Sequence, residues 1–171
     1  MKNIFKYCPS CQSENTVFKN DHRFHCLNCH FVYYHNVATA VATIIKKDNK
    51  ILFTVRNNEP MKGMLDLPGG FVDPNETAEE TVKRELKEEL NLEIDTKSLI
   101  FFTTEPNSYL YKDILYRTCD ICYITEIEDT VLTLDPEEIQ DIKWLLPEEI
   151  NLNLIGFNSL RKVIEKYLDT I

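Results

Sequence analysis

The sequence predicts an α+β fold: a layered sandwich of one mixed sheet and singly placed helices, preceded by a small cysteine-bearing ribbon. Three observations carry this. β-branched, apolar runs at 39–46, 50–56, 99–104, 115–125 and 142–145 have the character of strands. Residues 77–90 and 159–168 switch to a helical composition and period, and they do not alternate with the strands as βαβ units would require. Ahead of all of these stand two CxxC pairs in a polar stretch.

The 171 residues suffice for one α/β-sized core, with roughly 30 to 40 left for an appendage. The division expected is 1–36 for the ribbon and 37–171 for the main domain. No apolar run is long enough to span a bilayer, and the first cysteine pair interrupts the N-terminus before the apolar core of a secretory signal develops, so a reducing cytoplasm is expected. A net charge of −9, with Lys and Arg scattered, argues against nucleic acid as a partner. An acidic protein that handles phosphates needs cations to do so.

Cys8, Cys11, Cys26 and Cys29 have the spacing of a tetrahedral zinc site, each CxxC bringing two sulfurs to one ion and the loop between the pairs folding as a short hairpin. Disulfides are disfavoured in a reducing compartment. A closed four-sulfur site leaves no open coordination position, so this zinc is expected to be structural. His22, His25, His30 and His35 are expected to be surface or packing residues.

In the main domain, residues 39–46 and 50–56 are expected to pair as a hairpin across Lys47, Asp48 and Asn49. Pro68-Gly69-Gly70 breaks the chain, Phe71-Val72 follows as a short strand or strand end, and residues 74–77 lead into the first helix. Pro147-Glu148-Glu149 opens a turn before the closing helix, whose apolar face is Leu160, Val163, Ile164 and Leu168.

The first helix carries the functional signal. With Ala78 at zero and about 100° per residue, Ala78, Val82, Leu86 and Leu90 span an apolar arc of about 120°. Glu85 falls near 340°, Glu89 near 20° and Glu88 near 280°, at roughly the same turn per residue. Two carboxylates therefore share the inward face and a third lies at its edge, while Lys83, Lys87 and Glu80 point to solvent. Glu85 and Glu89 are also like charges one turn apart, near the helix end that disfavours anions. Arg84 offsets part of this charge, and Mg2+ or Mn2+ would offset the rest.

Gly70, Glu76 and the run Arg84-Glu85-Leu86-Lys87-Glu88-Glu89-Leu90-Asn91-Leu92 together resemble the box of the Nudix hydrolases, G-x5-E-x7-R-E-U-x-E-E-x-G-U, where U is aliphatic. Eight of the nine specified positions match. The departure is Asn91 in place of glycine, at a helix end where a left-handed residue is wanted and asparagine is next best. The resemblance covers roughly residues 38–170 and implies an α/β/α sandwich that hydrolyses nucleoside diphosphates linked to another moiety, such as ADP-ribose, a nucleotide sugar or a dinucleotide. It also implies that Glu85, Glu88 and Glu89, with the Gly69 carbonyl, hold Mg2+ or Mn2+, and that Glu76 and Arg84 support the loop and helix.

The base that activates water is expected to be Glu85 or a later-loop glutamate, Glu137 or Glu138. Arg56 and Arg117 are candidate substrate clamps, since guanidinium matches phosphate in a forked geometry. Tyr109 is a candidate stacking residue, with Tyr111 and Tyr116 nearby. Cys119 and Cys122, on opposite faces of a strand, are expected to be buried thiols.

A ribbon ahead of this box is similar to the arrangement of NADH pyrophosphatases. Their SQPWPFP motif is replaced here by residues 103–109, TTEPNSY. The expected partner is thus a small nucleotide substrate, with a homodimer compatible. The competing class is a non-catalytic nucleotide sensor whose ribbon binds protein or nucleic acid. The intact acidic positions favour the enzyme.

Overall fold

The computed structural model describes residues 5–20, 22–112, 114–128 and 130–171. The first four residues and Asp21 of the expected ribbon lie outside them. The chain divides into two compact units, one reaching to Val37 and including Lys112–Ile114, the other formed by Ala38–Tyr111 and Leu115–Ile171.

The first unit holds β1 (Thr16–Lys19), β2 (Arg23–Cys26) and β3 (Val32–Tyr34) in an antiparallel sheet of that order. Phe24 and Cys26 alternate inward on β2 and join Cys8 in a small buried core, against which Phe5, Phe18 and Phe31 pack. The two CxxC turns are built alike. The residue after each pair, Gln12 or His30, is left-handed, with φ of 60° and 61°, and its N–H donates to the carbonyl of the first cysteine, at 2.8 and 3.0 Å.

Sulfur Sγ of Cys8 lies 3.7 Å from that of Cys29, and Cys11 Sγ lies 3.6 Å from Cys26 Sγ. All four fall within 4.8 Å of one another. A disulfide needs about 2.05 Å, whereas a zinc ion about 2.3 Å from four tetrahedral sulfurs sets edges of about 3.8 Å. The cluster therefore has zinc dimensions. No histidine belongs to it among the described residues; His22 stacks on Tyr34 instead.

The second unit is a six-stranded mixed sheet between two helices. Its strands are β4 (Ala38–Lys47), β5 (Lys50–Arg56), β6 (Leu65–Asp66), β7 (Ile100–Tyr111), β8 (Ile114–Glu126) and β9 (Ile139–Leu145), and its helices are α1 (Ala78–Leu90) and α2 (Asn158–Leu168). The order is β6-β5-β4-β8-β7, with β9 on β5. Residues alternate faces along each strand. Val41, Ile45, Leu52 and Tyr123 pack beneath Val82, Leu86 and Leu90 of α1, while Ala42, Ile44, Phe53 and Cys122 pack against Leu160, Val163, Ile164 and Tyr167 of α2. Three layers result, as expected. No helix among the described residues is long and apolar enough to cross a membrane.

One irregularity makes room for a site. The hairpin β4–β5 forms at Asp48 and Asn49, both left-handed, but the strands pair only at Lys46↔Ile51 and Lys47↔Lys50. Beyond that they part. β4 runs parallel to β8 from Ala38↔Thr118 to Lys46↔Glu126, while β5 takes β9 and β6. The segment after β6 fills the gap: Thr43 N–H donates to Pro68 O (2.9 Å), Val41 N–H to Gly70 O (2.8 Å) and Val72 N–H to Thr39 O (3.1 Å).

The sequence expectations need three corrections. β7 does not end at Thr104 but continues through Pro106 to Tyr111, so Tyr109 stands on a strand and not in a loop. This is feasible because β7 is an edge, where proline's missing N–H need not break the sheet. β9 starts at Ile139, three residues before the expected start. Of the two thiols on β8, Cys122 is buried, while Cys119 is only half-buried.

Candidate active site

Helix α1 is fixed at both ends. Thr77 Oγ1 accepts the Glu80 N–H (3.2 Å) and Glu80 Oε2 accepts the Thr77 N–H (2.8 Å), a reciprocal cap. At the far end Asn91 is left-handed, φ 52° and ψ 32°, and closes the helix with bonds to the Leu86 and Lys87 carbonyls. Asparagine thus fills the glycine-like position.

With the ends set, the acidic side chains fall where the helical period puts them. Glu89 is 9% exposed and the Glu85 side chain 12%, against 57% for Glu88. The inner two meet the glycine segment. Gly69, φ +145°, donates its N–H to Glu89 Oε2 at 3.1 Å. A Cβ on Gly69 would stand 2.2 Å from the Val41 carbonyl oxygen, and one on Gly70 would stand 2.3 Å from Glu85 Oε1. Gly69 is therefore required by its close approach to the sheet backbone, whereas Gly70 meets only the movable end of the Glu85 side chain.

Burial pushes the Glu89 carboxyl well above the usual range, reinforced by Glu85, Asp66 and Glu138 and partly relieved by the Gly69 amide. Burial also raises Glu85, against the pull of Arg84 and with a further push from Glu88 and Glu138. Glu138 acts on both because its loop is tied down. Asp135 N–H donates to Glu89 O (3.0 Å), Thr133 N–H to Leu90 O (3.0 Å) and Asn57 N–H to Glu138 O (2.9 Å). Asn58 Nδ2 donates to Glu137 O (2.8 Å).

Arg84 organises the outer side. It donates to Glu76 through Nε (2.9 Å) and Nη2 (3.0 Å), to Glu85 and Glu88 through Nη1 (2.8 and 2.9 Å), and to the Phe71 carbonyl (3.0 Å). Hydrogen bonds from Arg84, with another from the Thr81 hydroxyl, hold Glu76 down at about 2. Because Arg84 takes Glu85 and Glu88, the glutamates are not gathered as tightly as the cysteines. Among the described residues the quartet alone brings three or more ligand atoms within 4.8 Å of one another.

Beside the glycine segment lies a cleft of about 150 Å3, lined by Arg56, Asp66, Tyr109, Asp120, Phe157 and other residues of the second unit. Arg56 donates to Asp66 (2.6 Å) and to the Pro60 carbonyl (2.9 Å), and its guanidinium lies 5.0 Å from the centre of the Phe157 ring. Tyr109 stacks on Tyr116, centroids 5.6 Å apart and planes 12° apart, and its centroid lies 5.5 Å from that of Phe157. The structure thus brings together Arg56 and Tyr109. Arg117, one residue out of phase with Thr118 and Asp120 on β8, is not among the residues lining this cleft. Asp66, Asp120 and Phe157 escaped the sequence reading, because no local pattern marks residues that meet only through strand register and the approach to α2.

The chain belongs to the NUDIX domain family, whose model matches residues 34–167. Among curated relatives, an ADP-ribose pyrophosphatase of Methanocaldococcus jannaschii is 51% identical over 74 residues, covering 43% of this chain and 44% of that protein. An NAD-capped RNA hydrolase, NudC, of Vibrio atlanticus is 25% identical over 175 residues, covering 100% of this chain and 60% of that one. The chain thus spans about half the length of the curated relatives it matches. Among solved structures, a NUDIX hydrolase from Nitrosomonas europaea shares the fold with a TM-score of 0.70 at 24% identity, over 96% of this chain and 91% of that one. The NUDIX domain of Shewanella oneidensis NrtR, solved with ADP ribose, has a TM-score of 0.64 at 23% identity, over 80% and 90%.

Two predictions follow from the geometry. Gly69→Ala should cost about 2–4 kcal/mol in denaturant unfolding, since both its φ and the nearby carbonyl oppose a side chain. Gly70→Ala should stay within about 1 kcal/mol of wild type because the Glu85 carboxylate can swing away; the reverse ranking would contradict this account of the loop. For Glu76, a folded value of about 2 lies below the unfolded value of about 4.3. Its stabilisation is present above the latter and lost as pH falls through the former. Unfolding midpoints of Glu76→Gln should therefore lie below wild type at neutral pH and converge with it near the acid end; a gap that persists there would exclude the ionic origin.

Proposed function

We propose that the chain is a divalent-cation-dependent Nudix hydrolase that cleaves a phosphoanhydride bond of a nucleoside diphosphate joined to another moiety. ADP-ribose is the first substrate to test, and a dinucleotide the second. The observation that carries this is the pair of buried Glu89 and largely buried Glu85 against a two-glycine segment, with Glu138 adding negative charge to both. Buried anions so placed are costly unless a cation completes the site. The name of the Methanocaldococcus relative supports ADP-ribose; the names of the NudC relatives support a dinucleotide-type linkage.

The residues suit a hard cation, which takes carboxylate and carbonyl oxygens. Glu85, Glu88 and Glu89, with the Gly69 carbonyl, would hold Mg2+ or Mn2+, and Arg84 would release Glu85 or Glu88 to do so. When bound, the cation screens the diphosphate and lowers the pKa of water. Glu138 or Glu85 accepts a proton from water as its oxygen attacks phosphorus, and the bond from that phosphorus to the bridging oxygen breaks. Arg56 and Tyr109 position the substrate, Glu76 and Arg84 keep loop and helix in register, and Arg117 is a further clamp candidate. Residues 1–36 act as a zinc ribbon with Zn2+ on Cys8, Cys11, Cys26 and Cys29, and residues 37–171 as the catalytic domain.

Purified protein should carry one zinc per chain by metal analysis and release phosphate-bearing products from a panel of nucleoside diphosphate derivatives only with Mg2+ or Mn2+. Glu88→Gln and Glu89→Gln should each lower kcat about a hundred- to a thousandfold, the range expected when a group that stabilises transition-state charge is removed. Turnover that survives both substitutions would reject the metal site.

A further inference from the structure

The cleft beside the glycine segment contains a carboxylate whose hydrogen-bonding capacity is not spent among the described residues. Asp120 stands on β8 opposite Ala40 of β4, whose small side chain leaves the space open, and it is 6% exposed. Thr118 Oγ1 donates to its Oδ1 at 2.6 Å. Its other oxygen accepts no hydrogen bond, and the carboxylate has no ion-pair partner, among the described residues. The cation in the cleft is already committed, because Arg56 is paired with Asp66 at 2.6 Å. Tyr109 and Phe157 supply flat apolar walls on the same cleft.

A deep carboxylate with a free acceptor repels phosphate and draws a hydrogen-bond donor. Aromatic walls favour a planar ring. The glycine segment lines this cleft through Gly69 and Gly70 and also touches Glu89 and Glu85. One ligand can therefore place its ring in the cleft and its diphosphate over the glutamates.

We propose that Asp120 is a specificity-determining residue that accepts an N–H from a planar ring in this cleft, so that rings bearing an amino or carboxamide donor are bound and counterparts lacking that donor are rejected. Of the donors that nucleoside diphosphate derivatives carry, the 6-amino group of adenine and the carboxamide of nicotinamide are the two to compare. This rests on the hydrolase reading for its biological meaning, but its test does not need turnover. A site built to pair with a donor discriminates strongly against an analogue lacking it, because the acceptor is left buried and unpaired.

The test is binding of mononucleotides by calorimetry without divalent cations, using zinc-loaded full-length protein. AMP is compared with purine riboside 5′-monophosphate, which lacks the 6-amino group and carries no N–H on that ring edge, and nicotinamide mononucleotide with its nicotinic acid counterpart. In wild type at least one amino or amide compound should bind about tenfold or more tightly than its partner, and the pair that differs identifies the ring. Asp120→Asn, whose amide can donate as well as accept, should bring that ratio to within about twofold or invert it. Thr118→Val removes the hydroxyl that orients the carboxylate and should shrink the ratio. Equal binding within both wild-type pairs overturns the proposal, as does an unchanged ratio in Asp120→Asn. If Asp120→Asn lacks a native thermal transition, an unchanged ratio in Thr118→Val overturns it. Loss of hydrolysis with the binding ratio intact would count against the hydrolase reading alone.

Discussion

The contact between the acidic stripe of α1 and the Gly69-Gly70 backbone constrains the rest of the second unit. For Glu89 to reach the Gly69 N–H, the glycine segment must lie flat on β4, which its bonds to Val41 and Thr43 ensure. For that segment to reach β4, β5 must leave β4 after two residue pairs. The parallel partner β8 compensates by pairing along nine residues of β4. Sheet topology, glycine placement and helix phase are thus one solution to a single packing problem.

That solution carries an electrostatic cost. Removing a carboxylate from water costs several kcal/mol even after relaxation, and Glu89 has for compensation one backbone amide among the described residues. The outer carboxylates are treated differently. Glu76 and Glu88 face Arg84, and the Thr77–Glu80 cap serves the helix start. Glu85 also bonds Arg84 through one oxygen, so the charge left without a facing cation among the described residues is that of Glu89, as expected where a mobile cation completes the site. The acidic loop at 135–138, stitched to the end of α1 and to Asn57, adds a further carboxylate to that centre.

How legible all this was depended on the range of the interaction. The α1 period alone placed Glu85 and Glu89 inward with Val82 and Leu86, and Asn91 could be assigned to a left-handed cap from its chemistry; both are local. The cysteine spacing likewise announced the four-sulfur cluster. The cleft was not legible, since Arg56, Tyr109, Asp120 and Phe157 come from β5, β7, β8 and the approach to α2 and share no sequence pattern. The end of β7 was missed for a related reason: the strand runs on through Pro106, and whether a strand can hold a proline depends on whether it is an edge, a property of the whole sheet. Tyr109 was singled out for stacking, but the rings beside it, Tyr116 and Phe157, are set by strand register and tertiary packing.

The most direct test of the central claim, that the inward carboxylates of α1 form a cation site, is anomalous diffraction from crystals grown with Mn2+. The account predicts a peak about 2.0–2.6 Å from carboxylate oxygens of Glu89 and Glu85, with Arg84 withdrawn from Glu85 or Glu88. Ordered crystals at saturating Mn2+ with no peak there, and Arg84 still bonded to both, would contradict it.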